Sequence, residues 1–457
     1  MVGAIPLHSS QRRARNCSSK TIPPGQSSTP CGSGTSDMTR PRIAIIGAGP
    51  SGCYSAQAVL KQMPDADVCI FDALPVPFGL IRHGVAADHQ GTKAVTKQFA
   101  RLFEKNGVQF FGGVTIGEDI ELAAIRACFD AVVIAHGLHG DIGLDVPGAD
   151  LPGVFGAGRI TRLLNGHPLE TRPAPSLGAA VAIVGMGNVA LDLVRLLAKS
   201  GNDLVGSDID DEIHAQLTSE VRTIHIIGRS QPVDARFDPA MARELIELPT
   251  VEHAVHGVDI GQDGDPRSSI ISELDRAPHP PSARVRVEWW FGYAPSDMRG
   301  DRQVTGIDIE RVDSDDVLTI PVDTVITAIG FTATAQQRLA ADTTEAGDTG
   351  RLSPGLYVAG WARRGPRGTI SSHRSDAQQL ASLIATDLKG PFTRAGAQDL
   401  EDRLASAYSY DGWLRVDALE MSQATSGRVR KKLTDINHMR AIAAGHSLPS
   451  KAPGTTP

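Results

Sequence analysis

The chain has 457 residues, room for about three domain-sized units. Its composition, 41% hydrophobic and 21% charged, is that of a globular protein, and it has no apolar run of the ~20 residues a membrane span needs. Forty-five Lys and Arg against 52 Asp and Glu give a formal net charge of -7, which argues against a globally basic nucleic-acid binder.

Residues 1–40 are rich in Ser, Thr, Pro, Gly and Arg, carry one acid (Asp37), and show no apolar periodicity. They read as a disordered tail of a cytoplasmic protein. An acid-poor, Arg- and Ser-rich start also fits a transit peptide, which would place the protein in the mitochondrial matrix, and a start at Met38 is a third reading. The cysteines Cys17, Cys31, Cys53, Cys69 and Cys128 form no C-x-x-C pair and no metal-ligand spacing. A disulfide scaffold, a zinc site and a cysteine-held iron–sulfur cluster are poorly supported, and a reducing compartment is expected.

The folded pattern begins at Arg42, where an apolar strand enters Gly47, Gly49 and Gly52 and a helix is predicted over 53–63. The first glycine permits a tight turn, the second lets backbone approach a pyrophosphate, and the third lets helix and strand pack closely. A strand over 67–72 then ends in Asp72, whose carboxylate can bind the ribose of an unphosphorylated dinucleotide, FAD or NAD. The arrangement returns at Gly185, Gly187 and Ala190, with a helix predicted over 191–199. Asn188 at that helix start can bind pyrophosphate, and Asp192 lies one turn on, on the same face. This time the next strand, 223–228, ends in Arg229, a cation suited to the 2′-phosphate of NADP; a solvated loop arginine is the alternative.

Apolar strands over 131–137 and 324–330 both end in glycine and read as chain crossings around an inserted domain. The acidic stretch 203–220 reads as solvated helix and loop, and the strand 284–290 as part of a peripheral sheet. The expected fold is α/β, with two Rossmann-like dinucleotide-binding domains. One spans 41–137 and 331–445 and is interrupted by the other at 138–330, and a loose tail covers 446–457.

The run Pro77-Phe-Gly-Leu-Ile-Arg-His-Gly-Val-Ala-Ala-Asp-His89, the run Gly187-Asn-Val-Ala-Leu-Asp192, the segment Arg243-Glu-Leu245 and the run Ala359-Gly-Trp-Ala-Arg-Arg-Gly-Pro-Arg-Gly-Thr-Ile370 carry a resemblance. Together they resemble the adrenodoxin-reductase type of ferredoxin–NADP reductase, over nearly the whole chain after Arg42. The resemblance implies FAD in the first domain, NADPH in the inserted one, and electron transfer to a small iron–sulfur protein of the ferredoxin type. It implies FAD contacts at Gly47, Gly49, Gly52, Asp72, Leu80, Gly360, Trp361, Gly368 and Ile370. NADP contacts are implied at Gly185, Gly187, Asn188, Val189, Arg229, Ser230 and Glu244. His89 and Glu244 match a catalytic couple near the nicotinamide, with Asp192 toward the flavin side. A flat indole can cover the flavin ring, and main-chain N–H groups near Gly368 to Ile370, at a helix start, can stabilise charge on the reduced flavin. Simple core packing is the alternative for Trp361, and a structural histidine the alternative for His89.

Three positions depart from the resemblance. Two adjacent arginines are replaced by Arg229-Ser230, removing one of two charge-assisted contacts that are each worth roughly 1.5–3 kcal/mol. Arg236 is near enough in sequence to compensate. Ala87 replaces a proline, and Leu163-Leu164 replace an aromatic pair. No cysteine pair is spaced to relay electrons, so they must leave from the flavin itself. Arg363, Arg364, Arg367 and Arg374, with Arg243, are expected to form a basic face for an acidic ferredoxin; scattered solvated arginines are the alternative. Two other functions compete: an NAD(P)H oxidase or diaphorase using oxygen or quinones, and a nucleotide-binding flavoprotein scaffold without turnover. Intact motifs at both turns disfavour the scaffold.

Overall fold

A computed structural model describes residues 40–258, 264–277, 280–340, 343 and 347–446. The expectations for 1–39 and 447–457 fall outside them. The first sheet has six strands in the order Arg351–Ser353, Leu356–Val358, Ala131–Ile134, Arg42–Ile46, Asp67–Asp72, Gln109–Gly112. All run parallel except Arg351–Ser353. The inner residues of its central strands are apolar because both faces are covered, as parallel sheets require. Ile43, Ile45 and Ile70 pack under the helices Pro50–Gln62 and Ser372–Asp387, while Ala44, Phe71 and Val132 face the layer holding Ile125 and Phe129.

The second sheet also has six strands, all parallel, in the order Val154–Gly156, Thr324–Thr327, Ala180–Val184, Thr223–Gly228, Val285–Phe291, Val251–His256. One face carries helices that include Asn188–Ala198 and Pro239–Ile246, and the other an antiparallel three-stranded sheet. The chain leaves the first sheet after Ala131–Ile134, builds the second, and returns to set Leu356–Val358 beside Ala131–Ile134. The outgoing and returning segments pair with each other, Gly140–Asp141 antiparallel to Phe331–Thr332. The fold is therefore α/β with two mainly parallel sheets, the second inserted within the first.

Three expectations change. The strand Val285–Phe291 is an interior strand of the second parallel sheet, not of a peripheral one, and its alternating Val285, Val287, Trp289 and Phe291 are at most 1% exposed. Both glycine-turn helices start earlier than predicted, at Pro50 and Asn188. Pro50 occupies the first helical turn, where a missing N–H costs nothing. The acidic stretch 203–220 is not simply solvated, because Asp208 is 5% exposed. Its carboxylate takes Lys93 Nζ at 2.7 Å and Lys432 Nζ at 3.0 Å, and both ammonium groups also reach Asn165 Oδ1. Burial opposes charge on Asp208, but Lys432 and Lys93 outweigh it and hold the carboxyl below its ordinary range. This cluster clasps the insertion, through Asn165 and Asp208, to flanking chain at Lys93 and Lys432.

Candidate active site

Both glycine turns lie at the carboxyl ends of central strands, where open α/β sheets bind ligands. At Gly47 φ is +109°, and a Cβ there would stand 2.7 Å from the Ala135 carbonyl oxygen. At Gly52 a Cβ would stand 1.9 Å from the Gly47 carbonyl oxygen, so close helix–strand packing demands the glycine. Gly49 differs, since a Cβ on it would meet nothing within 4 Å. The space beside it is open, at the start of helix Pro50–Gln62, where backbone N–H groups favour an anion. Phe78, in the left-handed region at φ 81° and 3% exposed, donates its N–H to the Ala48 carbonyl at 2.9 Å and places Gly79 against Gly49. That strained residue had no signal in the sequence. Leu80 follows, half-buried. Asp72 accepts N–H bonds from Ala48 at 2.8 Å and Leu74 at 2.9 Å. Burial nevertheless pushes its carboxyl up to about 6.

The second turn repeats the geometry. Gly185 has φ +121° and a Cβ there would stand 2.4 Å from the Ala328 carbonyl oxygen, Ala190 is fully buried, and a Cβ on Gly187 meets nothing within 4 Å. Asn188 Oδ1 accepts the Asp238 N–H at 2.8 Å, and Asp238 caps the helix Pro239–Ile246 that carries Glu244. That amide oxygen therefore docks one helix on another, and its NH2 group makes no hydrogen bond among the described residues. Val189 packs partly against the insertion's core, Arg229 is exposed, and Ser230 is half-buried beside it.

His89, Asp192 and Glu244, each on a different element, converge. His89 Nδ1 lies 3.6 Å from Asp192 Oδ1, and Nε2 lies 3.8 Å from Glu244 Oε2. Arg195, with its side chain 1% exposed, touches Asp192 Oδ1 at 2.7 Å, Glu244 Oε2 at 3.2 Å, and Asp88. Lys199 Nζ reaches the same Asp88 oxygen at 2.7 Å. Burial opposes charge on Asp88, yet Arg195 and Lys199 hold its carboxyl at about 2. Asp192 is raised by burial, in spite of Arg195 and His89. Sequence reasoning missed Asp88, Arg195 and Lys199; the one local signal was Arg195 three residues after Asp192 on a helix.

The strand Leu356–Val358 ends at Gly360, whose φ is +67° and whose Cβ would stand 1.9 Å from Ser51 Oγ on the first helix. Trp361 stacks on Phe331, centroids 5.5 Å apart and planes at 19°, and its buried indole N–H has no partner among the described residues. An unpaired buried donor beside a glycine turn fits a cofactor acceptor. Gly368 and Ile370 directly precede helix Ser372–Asp387, the position expected of them. The five arginines expected to form a basic face differ in their surroundings. Arg363 is bound to Asp376, and Arg364 lies 3.4 Å from Asp376 and 3.0 Å from His373 Nδ1. Arg243 is exposed but pairs with Glu273 at 3.2 Å, and Arg367 and Arg374 are exposed. The buried Asp376 carboxylate, on the helix that follows the first two arginines, draws them inward.

Residues 41–260 match the model of the pyridine nucleotide-disulphide oxidoreductase family. The chain is 40% identical over 422 residues to the cindoxin reductase of Citrobacter braakii, covering 88% of this chain and 91% of that one. It is 30% identical to the mitochondrial NADPH:adrenodoxin oxidoreductase of Bos taurus, covering 89% and 92%. The chain belongs to the adrenodoxin-reductase-type ferredoxin reductase family. Among solved structures, that of Mycobacterium tuberculosis FprA in complex with NADPH matches with a TM-score of 0.81 at 28% identity, over 89% of this chain and all of that one. Among the described residues, Cys53, Cys69 and Cys128 are buried and unpaired. Leu163 and Leu164, which take the place of an aromatic pair, are both fully buried in the insertion's core.

Proposed function

We propose that this flavoprotein transfers electrons from NADPH through FAD to a ferredoxin-type iron–sulfur protein. One observation carries the reading: two open glycine cradles, at Gly49 and Gly187, belong to two sheets joined by paired crossings, with the His89 cluster built from both. Residues 41–137 and 331–445 hold FAD, and 138–330 hold the nicotinamide coenzyme. Bound FAD supplies the chemistry that turns a two-electron hydride donor into a source of single electrons.

The protein's part is binding and orientation. Gly47, Gly49 and Gly52 shape the FAD turn, Asp72 takes the ribose, Leu80 and Trp361 border the ring, and Gly360, Gly368 and Ile370 bring backbone to its edge. On the coenzyme side Gly185, Gly187, Asn188 and Val189 form the phosphate turn, and Arg229 with Ser230 faces the adenosine ribose. His89, Asp192 and Glu244 orient the nicotinamide, held in place by Arg195. Ferredoxin docks on the exposed Arg367 and Arg374. The test is reduction of cytochrome c by NADPH with the purified yellow protein, with and without an added ferredoxin. Strong ferredoxin dependence supports the reading; ferredoxin-independent consumption of oxygen or quinone at the same rate overturns it.

A further inference from the structure

The chain lacks the second of two neighbouring arginines at the 2′-phosphate position, and Arg236 stands seven residues beyond Arg229. The fold shows where Arg236 lies. Its backbone forms a parallel bridge with Gly187, the middle glycine of the second turn. Two residues on, the Asp238 N–H bonds to Asn188 Oδ1 at 2.8 Å, so 236–238 is strapped along the turn and the helix start. Ala235 and Phe237, 2% and 3% exposed, anchor the strap on both sides of Arg236, and the Ala235 carbonyl accepts Arg267 Nη1 at 2.7 Å. The Arg236 side chain is exposed, with no hydrogen-bond or ion-pair partner among the described residues. The Asp238 carboxylate nearby is occupied as a helix cap, taking the Ala240 N–H at 3.0 Å.

We infer that Arg236 binds the pyrophosphate of the nicotinamide coenzyme, rather than replacing the missing arginine at the 2′-phosphate. This rests on the coenzyme site proposed above. The pyrophosphate of a dinucleotide lies over the glycine turn, and Gly187 is the residue paired with Arg236, whereas the 2′-phosphate belongs at the end of the neighbouring strand, Thr223–Gly228, where Arg229 stands. A guanidinium there can make charge-assisted contacts with two phosphates at once. NADP and NAD share that pyrophosphate. One of the two cationic contacts has thus moved from a group that distinguishes the coenzymes to one that does not, which keeps affinity and lowers discrimination.

The test measures dissociation constants of the holoenzyme for NADP+, NAD+ and 2′-AMP, which has the 2′-phosphate and no pyrophosphate, in wild type, Arg236→Gln, Arg236→Lys and Arg229→Leu. Arg236→Gln is expected to weaken NADP+ and NAD+ by the same factor, about tenfold, and leave 2′-AMP unchanged. Arg236→Lys recovers most of that loss, and Arg229→Leu weakens NADP+ and 2′-AMP while leaving NAD+ alone. Selective loss of NADP+ and 2′-AMP in Arg236→Gln overturns the inference in favour of the 2′-phosphate, and no change in any constant overturns it in favour of a solvated arginine. If wild type binds none of the three probes, the coenzyme site itself is wrong and the inference falls with it.

Discussion

His89 Nε2 lies 3.8 Å from Glu244 Oε2, and the same carboxylate oxygen is 3.2 Å from the buried guanidinium of Arg195. The imidazole is thus held between Glu244 and Asp192, and Arg195 lies against both acids. At these separations the His89 contacts are ion-pair distances rather than tight hydrogen bonds. His89→Gln, which removes the imidazole ring, is expected to lower kcat/KM for NADPH with ferricyanide about tenfold, on the order of 1.4 kcal/mol. Glu244→Gln should do likewise, and the double variant should fall little further, because both act through one geometry. Additive losses in that cycle would separate the two residues.

The glycines of the first turn separate fold from binding. A Cβ at Gly52 collides with the Gly47 carbonyl at 1.9 Å, whereas at Gly49 it meets nothing within 4 Å and φ is -72°. Gly49→Val is therefore expected to give a folded, colourless protein, with native far-ultraviolet circular dichroism and no FAD, while Gly52→Val should fail to fold. A fully yellow Gly49→Val variant would refute the role of that open space.

Asp72 predicts a pH dependence of flavin affinity. Burial sets its carboxyl near 6 without cofactor, and a ribose hydroxyl donates to the charged form. Because the folded value is raised, ionisation costs stability as pH rises from its ordinary range through about 6, so the empty protein should be more stable on the acid side of that window, as far as this group is concerned. FAD affinity should run the other way. It should drop about tenfold between pH 7 and pH 5, with the inflection near 6, and Asp72→Asn should bind weakly and without that inflection. Fluorescence titration of the apoprotein with FAD at several pH values measures both.

The arginines near Trp361 divide into two classes. Arg363, bound to the 7%-exposed Asp376, is structural, and Arg363→Glu should lower stability by about 3 kcal/mol, read as a drop in unfolding midpoint. Arg367→Glu with Arg374→Glu should leave the midpoint and ferricyanide reduction intact, raise KM for ferredoxin several-fold and flatten its salt dependence. Equal loss of both activities would place the damage at the flavin instead.

The sequence by itself determined the two glycine turns, the acid after one and the arginine after the other, and the nested α/β order. Those features are local: a positive φ or a missing Cβ is demanded by backbone within a few residues, and strand–turn–helix order is written in apolar period. It also carried the family likeness, which singled out His89, Asp192 and Glu244 before any contact among them was known. Tertiary structure alone decided who their partners are. Arg195 joins Asp88, more than a hundred residues earlier, to Glu244; Asp376 draws Arg363 inward; Lys93 and Lys432 share Asp208; Arg236 lies beside Gly187. A charged side chain declares its sign in the sequence, but whether it faces solvent, substrate or an opposite charge depends on what distant chain packs against it, and that is fixed only when the sheets and helices close around it.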